Sequence, residues 1–216
     1  MSINKTYAVF GLGRYGTAVA RELVKSGAEV IAVDKDEKLV AAAAPFVPVC
    51  KCTDITDPEI IKQLGIANVD VVIIAMASNL EASVMATMLC KEAGVPEVIV
   101  KCGDEMHRKI LLRVGADRVI FPENDSGTRL AKNLLSAGFV DMVELTRNVS
   151  MVEIDVRDEW VGKSLIELNL RKKYSINVVA ICEDEAVSCV IDPEKPLEKA
   201  MKLIIIANTD KLKRIG

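Results

Sequence analysis

Three glycines and one carboxylate carry the chemistry most readily read from this chain. Gly11-Leu-Gly13-Arg-Tyr-Gly16 follows an apolar run that begins at Tyr7, and Asp34 ends a second apolar run. Glycines at 11 and 13 let the backbone turn tightly and approach a diphosphate with no Cβ in the way. Gly16 lets the following helix pack close to a sheet. The N–H groups that open that helix, at about Arg14–Ala18, lack partners within it and face any phosphate bound there. Asp34 is placed to accept hydrogen bonds from a ribose diol. Strand, glycine turn, helix, strand and acid, in that order, describe a site for a nucleotide. The alternative is a glycine-bearing α/β turn that binds nothing.

The elements that must position these residues recur at a regular beat. Strands are expected at 6–11, 29–34, 47–51, 69–75, 97–101 and 118–121, with helices at 15–26, 37–44, 79–93 and 104–114 and a short one from Asp57-Pro58. Gly27 and Gly94 sit where helices end, and Asp57 with Pro58 where one starts. The alternation implies an α/β protein with a doubly wound parallel sheet of the Rossmann type. Such sheets bind ligands at the carboxyl ends of their strands. Polar residues fall there: Arg14, Asp34, Thr53 with Asp54, Ser78 with Asn79, Lys101 and Glu123. Tyr15, Lys35, Cys52 and Ala75 adjoin them and complete the candidate set, although loop ends are polar in any fold. A crossover helix is expected from Asp125 to Ala137, ending at Gly138. After it the rhythm changes to short strands at 141–145, 150–155, 177–182, 186–190 and 202–207, with one helix over 164–171. That is a small α+β domain, and the expected division is 1–138 and 139–216.

The composition suits a soluble protein: 216 residues, half of them hydrophobic, and a net charge of −3. This balance gives no reason to expect nucleic acid or an anionic membrane as partner. No signal peptide is expected, and the longest apolar run, Val71–Ala77, is far too short to span a bilayer. The six cysteines are expected as buried or half-buried thiols in a reducing compartment, since Cys50-Lys-Cys52 lacks zinc spacing. The single histidine, His107, is expected at the surface of its helix.

Taken together, Gly11–Gly16, Ala32-Val-Asp34, Cys52-Thr-Asp54, Gly115-Ala-Asp117 and Phe121-Pro-Glu123 resemble an RCK protein, as do Gly162-Lys-Ser-Leu165 and Leu168-Asn-Leu-Arg171. These are the cytosolic regulatory subunits of bacterial potassium uptake systems of the TrkA and KtrA type. The resemblance implies a homodimer that assembles into a ring, expected to be an octamer, on the inner face of a membrane-embedded potassium channel or transporter. It also implies ATP or ADP at the glycine loop, with NAD(H) as the alternative. Arg14 is then either a solvated loop charge or the group that meets the terminal phosphate of ATP. Glu123 either complements a helix dipole or helps hold Mg²⁺ or Ca²⁺ beside the phosphates. In the second domain, Leu165, Ile166, Arg171 and Asn177 match a cyclic di-AMP contact pattern by position, though they could equally be core and surface of one helix.

The glycine motif by itself also suggests an NAD-dependent oxidoreductase. A dehydrogenase needs an acid/base group facing the nicotinamide. The C-terminal domain has no histidine, and the strand-end loops offer no Ser/Tyr/Lys or His/Asp pairing. Asp34 would also repel the extra phosphate of NADP. A sensor with no catalytic residue is the expected reading.

Overall fold

A computed structural model describes residues 5–135, 139–146, 148–184 and 186–208. The chain divides into two compact units, Met1–Pro122 and Glu123–Gly216. In the first, strands β1 (Thr6–Phe10), β2 (Glu29–Asp34), β3 (Val49–Cys52), β4 (Val71–Ile74), β5 (Glu97–Lys101) and β6 (Arg118–Ile120) form one sheet. Its order is β3-β2-β1-β4-β5-β6, with every pair parallel. Helices α1 (Arg14–Lys25), α2 (Glu37–Ala43), α3 (Pro58–Gln63), α4 (Leu80–Glu92) and α5 (Glu105–Arg113) connect the strands. Alternate residues of the central strands enter two separate cores. Ala8, Phe10, Val72, Ile74, Val98 and Val100 pack on one face of the sheet. Val9, Val30, Ala32, Val71 and Ile73 pack on the other. Both faces are dry, which is why these strands read as continuous apolar runs.

The helix starts follow from side-chain capping. Asp36, Asp57, Asn79 and Asp104 each accept a hydrogen bond from a first-turn N–H, at 2.8–3.0 Å. Gly27 and Gly94 close α1 and α4 in the left-handed region, at φ +82° and +85°. The third strand begins two residues later than expected. Val47 still donates to Ala43 at the end of α2, and Pro48 has no N–H to give a ladder.

The second unit carries an antiparallel sheet of β7 (Phe139–Thr146), β8 (Val149–Asp155), β9 (Ile176–Glu183), β10 (Ala186–Ser188) and β11 (Lys202–Asn208), in the order β10-β9-β11-β8-β7. Val152, Ile154, Ile176, Leu203 and Ile205 form its core with Trp160, which sits on an unexpected 3₁₀ turn at Asp158–Trp160. The crossover helix, α6, spans Pro122–Leu135. It starts three residues before the expected Asp125 because proline fits a first helical turn. The expected end at Ala137 and Gly138 lies outside the described residues. The helix expected over 164–171 is two: α7 (Leu165–Leu168) and α8 (Leu170–Tyr174), separated by Asn169 at φ +46°.

The thiols depart in part from expectation. Cys90 and Cys102 are buried and Cys50 and Cys182 half-buried, but Cys52 and Cys189 are exposed. Cys52 ends an edge strand, and Cys189 follows the short edge strand β10, so both stand at sheet margins. Burial pushes the Cys90 thiol up to about 12, so it stays protonated and inert. His107 is half-buried rather than fully at the surface, with Nε2 3.3 Å from Asp104 Oδ2.

Candidate functional site

The glycine loop is built against the first sheet by contacts that leave no room for side chains. Gly11 has φ +92°, and its N–H donates to Val33 O at 2.8 Å. A Cβ there would lie 2.7 Å from Met76 Cγ and near the Ala75 backbone. A Cβ on Gly16 would fall 1.9 Å from Gly11 O. These two glycines are demanded by packing. Gly13 is different. It caps α1 with extended backbone, and nothing lies within 4 Å of where its Cβ would stand. The first turn of α1 has no side-chain cap and no acidic residue, so its N–H groups remain available to an anion.

Asp34 secures this loop. Its Oδ2 accepts from Leu12 N–H at 2.6 Å and its Oδ1 from Asp36 N–H at 2.9 Å. An ionised carboxylate has about four lone-pair sites, so it can hold the loop and still accept from a ligand.

Beside the loop lies a cavity of about 620 Å³, within the usual range for small-molecule sites. Strand order reverses between β1 and β4, and the cavity opens at the carboxyl ends of those strands. Of the residues singled out in the sequence, Gly11, Gly13, Asp34, Lys35, Thr53 and Asp54 line it, joined by Ala75, Ser78 and Asn79. Asp54 Oδ1 accepts from the Thr56 N–H at 3.0 Å and the Thr56 hydroxyl at 2.8 Å. These bonds hold the carboxyl below its ordinary value, with a smaller contribution from Lys35.

Other expected residues fall outside the lining. Arg14 is exposed at the first position of α1, and Gly16 is buried behind the loop. Lys101 Nζ stands 5.5 Å from the centre of the Tyr15 ring, a contact of the two side chains with each other. Cys52 points its thiol at Lys35 O, 3.5 Å away. Glu123 belongs to the second unit, in the first turn of α6 with Asp125. The sequence reading missed the apolar lining, Val33, Leu39, Ile55, Met76, Ala82 and Met85, and the polar Thr56 and Glu81. Capping at Asn79 signalled the start of α4, but its Leu80–Glu92 pattern does not say which side faces a ligand. Among the described residues no three His, Cys, Asp or Glu side chains gather as a metal site.

A second cavity, of about 520 Å³, lies within the second unit. It brings together Leu165, Ile166, Arg171 and Asn177 with Asn169, Leu170, Ile176 and Val178.

Residues 7–122 match the TrkA-N domain and residues 149–216 the TrkA-C domain. The chain is 39% identical to Ktr system potassium uptake protein C of Bacillus subtilis, over 83% of this chain and 81% of that protein. It is 35% identical to Ktr system potassium uptake protein A of the same organism, covering 98% and 95% of the two chains. Both are named as potassium uptake proteins rather than as enzymes. Among solved structures, the GsuK channel bound to NAD superposes with a TM-score of 0.65 at 14% identity, covering 98% of this chain and 38% of that one. At that identity the likeness is one of fold. Among the described residues no helix is long and apolar enough to cross a membrane. The glycine-loop domain, the module that follows it and the near full-length relatives agree: the chain belongs to the TrkA/Ktr family of potassium uptake proteins.

Proposed function

We propose that the chain is a cytoplasmic, nucleotide-sensing regulatory subunit of a membrane-embedded potassium transporter or channel, and that it performs no chemistry on its ligand. The observation that carries this reading is the single cavity shared by the bare glycine loop and Asp34. Neighbouring strands step by about 4.8 Å. A nucleotide with its phosphates over β1 and its ribose at Asp34 over β2 therefore carries its base towards the loop after β3. Thr53, Asp54 and Ile55 stand in that loop. ATP and ADP are the ligands favoured, with NAD(H) the alternative, since GsuK of the same fold holds NAD. Arg14, exposed beside the loop, would turn inward to meet the γ-phosphate that ADP lacks. Mg²⁺ or Ca²⁺ would neutralise the phosphates, with Glu123 as the carboxylate ligand.

Leu130 and Leu134, one turn apart on α6, are 60% and 78% exposed. Such a pair fits a second copy of the chain better than water, in line with a homodimer that builds an octameric ring. The domains proposed for these roles are 1–138 and 139–216. A second reading concerns the C-terminal cavity, where the gathering of Leu165, Ile166, Arg171 and Asn177 favours cyclic di-AMP. Arg171 suits a phosphate and the Leu/Ile pair an adenine face.

Calorimetric titration with ATP, ADP, NADH and cyclic di-AMP tests both readings. Asp34→Ala is expected to weaken ATP at least tenfold, and Arg14→Ala to abolish a preference for ATP over ADP. Equal ATP affinity in wild type and both variants would remove these roles, and turnover of a substrate would end the sensor reading.

A further inference from the structure

The residues that gather in the C-terminal cavity would not meet on one straight helix. At about 100° per residue, Ile166 and Arg171 would point about 140° apart and Leu165 and Arg171 about 120° apart. Leu168 and Leu170 would point about 160° apart, yet both are buried in the same core. The chain resolves this at Asn169, whose backbone is left-handed, φ +46° and ψ +47°.

One residue there serves two helices. The Asn169 N–H closes α7 on Leu165 O at 3.1 Å. Its carbonyl opens α8 by accepting from the Lys172 and Lys173 N–H groups, both at 3.0 Å. The Asn169 side chain makes no cap to α8. Both flanks are anchored. Ser164 and Glu167 form a reciprocal capping box at the start of α7, and the Ile166 N–H donates to Pro193 O at 3.2 Å. Ser175, also left-handed, turns α8 into β9 beside Asn177. Tyr174, at the end of α8, packs against Trp160 with ring centroids 6.2 Å apart. With the ends fixed, the turn at 169 decides where Arg171 points.

We infer that Asn169 is a positioning residue: its left-handed backbone swings α8 so that Arg171 joins Leu165, Ile166 and Asn177 around one ligand. The ligand part of this inference rests on the cyclic di-AMP reading of that cavity. Asparagine and glycine enter the left-handed region readily, whereas a Cβ without a local polar group crowds the following carbonyl.

The test compares two variants that both lose the side-chain amide, Asn169→Gly and Asn169→Ala, in the full chain. Any contact made by the amide is lost equally, so a difference between them reports the backbone. Cyclic di-AMP is expected to bind the Gly variant about tenfold more tightly than the Ala variant, equivalent to about 1.4 kcal/mol, with both folded by circular dichroism. The readout independent of ligand is hydrogen exchange. The Lys172 and Lys173 amides are expected to exchange faster in the Ala variant than in the Gly variant. Matching exchange in the two variants overturns the inference whatever binds. So does equal cyclic di-AMP affinity when the wild type binds. A wild type that ignores cyclic di-AMP while the exchange difference persists supports the backbone role and removes the ligand reading alone.

Discussion

Asp34 is two things in one carboxylate, a strut for the glycine loop and an acceptor facing the cavity. Asp34→Ala should therefore speed hydrogen exchange at the Leu12 amide even without ligand, a readout separate from its loss of nucleotide. The glycines divide differently. Gly16→Ala would drive a Cβ into Gly11 O and is expected to cost about 3 kcal/mol of stability by denaturant titration. Gly13→Ala meets only open space, so its stability should stay within about 0.5 kcal/mol of wild type. The same methyl stands where the proposed diphosphate would approach, and ATP affinity should fall at least tenfold. A chain that folds normally but has lost its ligand would isolate binding from architecture. Asp54 supplies a pH dependence. Its carboxyl lies below the ordinary value of 3.8 because the Thr56 N–H and hydroxyl favour the charged form. A group depressed on folding contributes stability above its unfolded value and loses it as pH falls through the folded one. Urea midpoints of wild type and Asp54→Asn should hold a steady gap from neutral pH down to about 4 and converge below it.

At the scale of elements, the helix caps carry measurable weight. Asn79→Ala removes the acceptor for the Ala82 N–H and is expected to destabilise the chain by about 1 kcal/mol. Because Asn79 also lines the cavity, its nucleotide affinity should fall in the same variant. Signals of this local kind made the sheet legible. β2 and β5 begin and end where the apolar pattern does, and caps and closing glycines mark their own helices. The sequence was less explicit wherever a distant contact made the decision. The start of β3 depends on Val47 remaining with α2, and the break at Asn169 depends on Leu168 and Leu170 sharing one core. A periodicity argument sees one helix there because no glycine or proline interrupts 164–171. The candidate site divides along the same line. Polar groups such as Asp34, Thr53, Asp54, Ser78 and Asn79 could be named from their positions at strand ends, since topology alone sends those ends to one side. Apolar walls such as Met76 and Met85 could not be named, because ordinary core and ligand-facing surface use the same residue types.

The whole molecule joins two units, each with a cavity of its own. Hydrogen exchange should assign the ligands separately. ATP is expected to protect segments 11–16, 53–56 and 75–85, and cyclic di-AMP to protect 165–178. ATP at a hundred times its dissociation constant should add about 2.7 kcal/mol to the stability of the first unit. Assembly should depend on the α6 leucines. Leu130→Asp with Leu134→Asp is expected to lower the mass seen by analytical ultracentrifugation while leaving the cavity beside Gly11 able to bind ATP. A further consequence follows from the strut at position 34. Because Asp34 itself ties down the loop, a nucleotide bound as proposed would have little ordering to supply, and ligands built on the same adenosine would share that advantage alike. Near saturation, the occupant would then follow the ratio of the competing nucleotides, weighted by the preference proposed for Arg14. Under the proposed nucleotide reading, such a receptor would report a quotient of competing compounds rather than the abundance of any one.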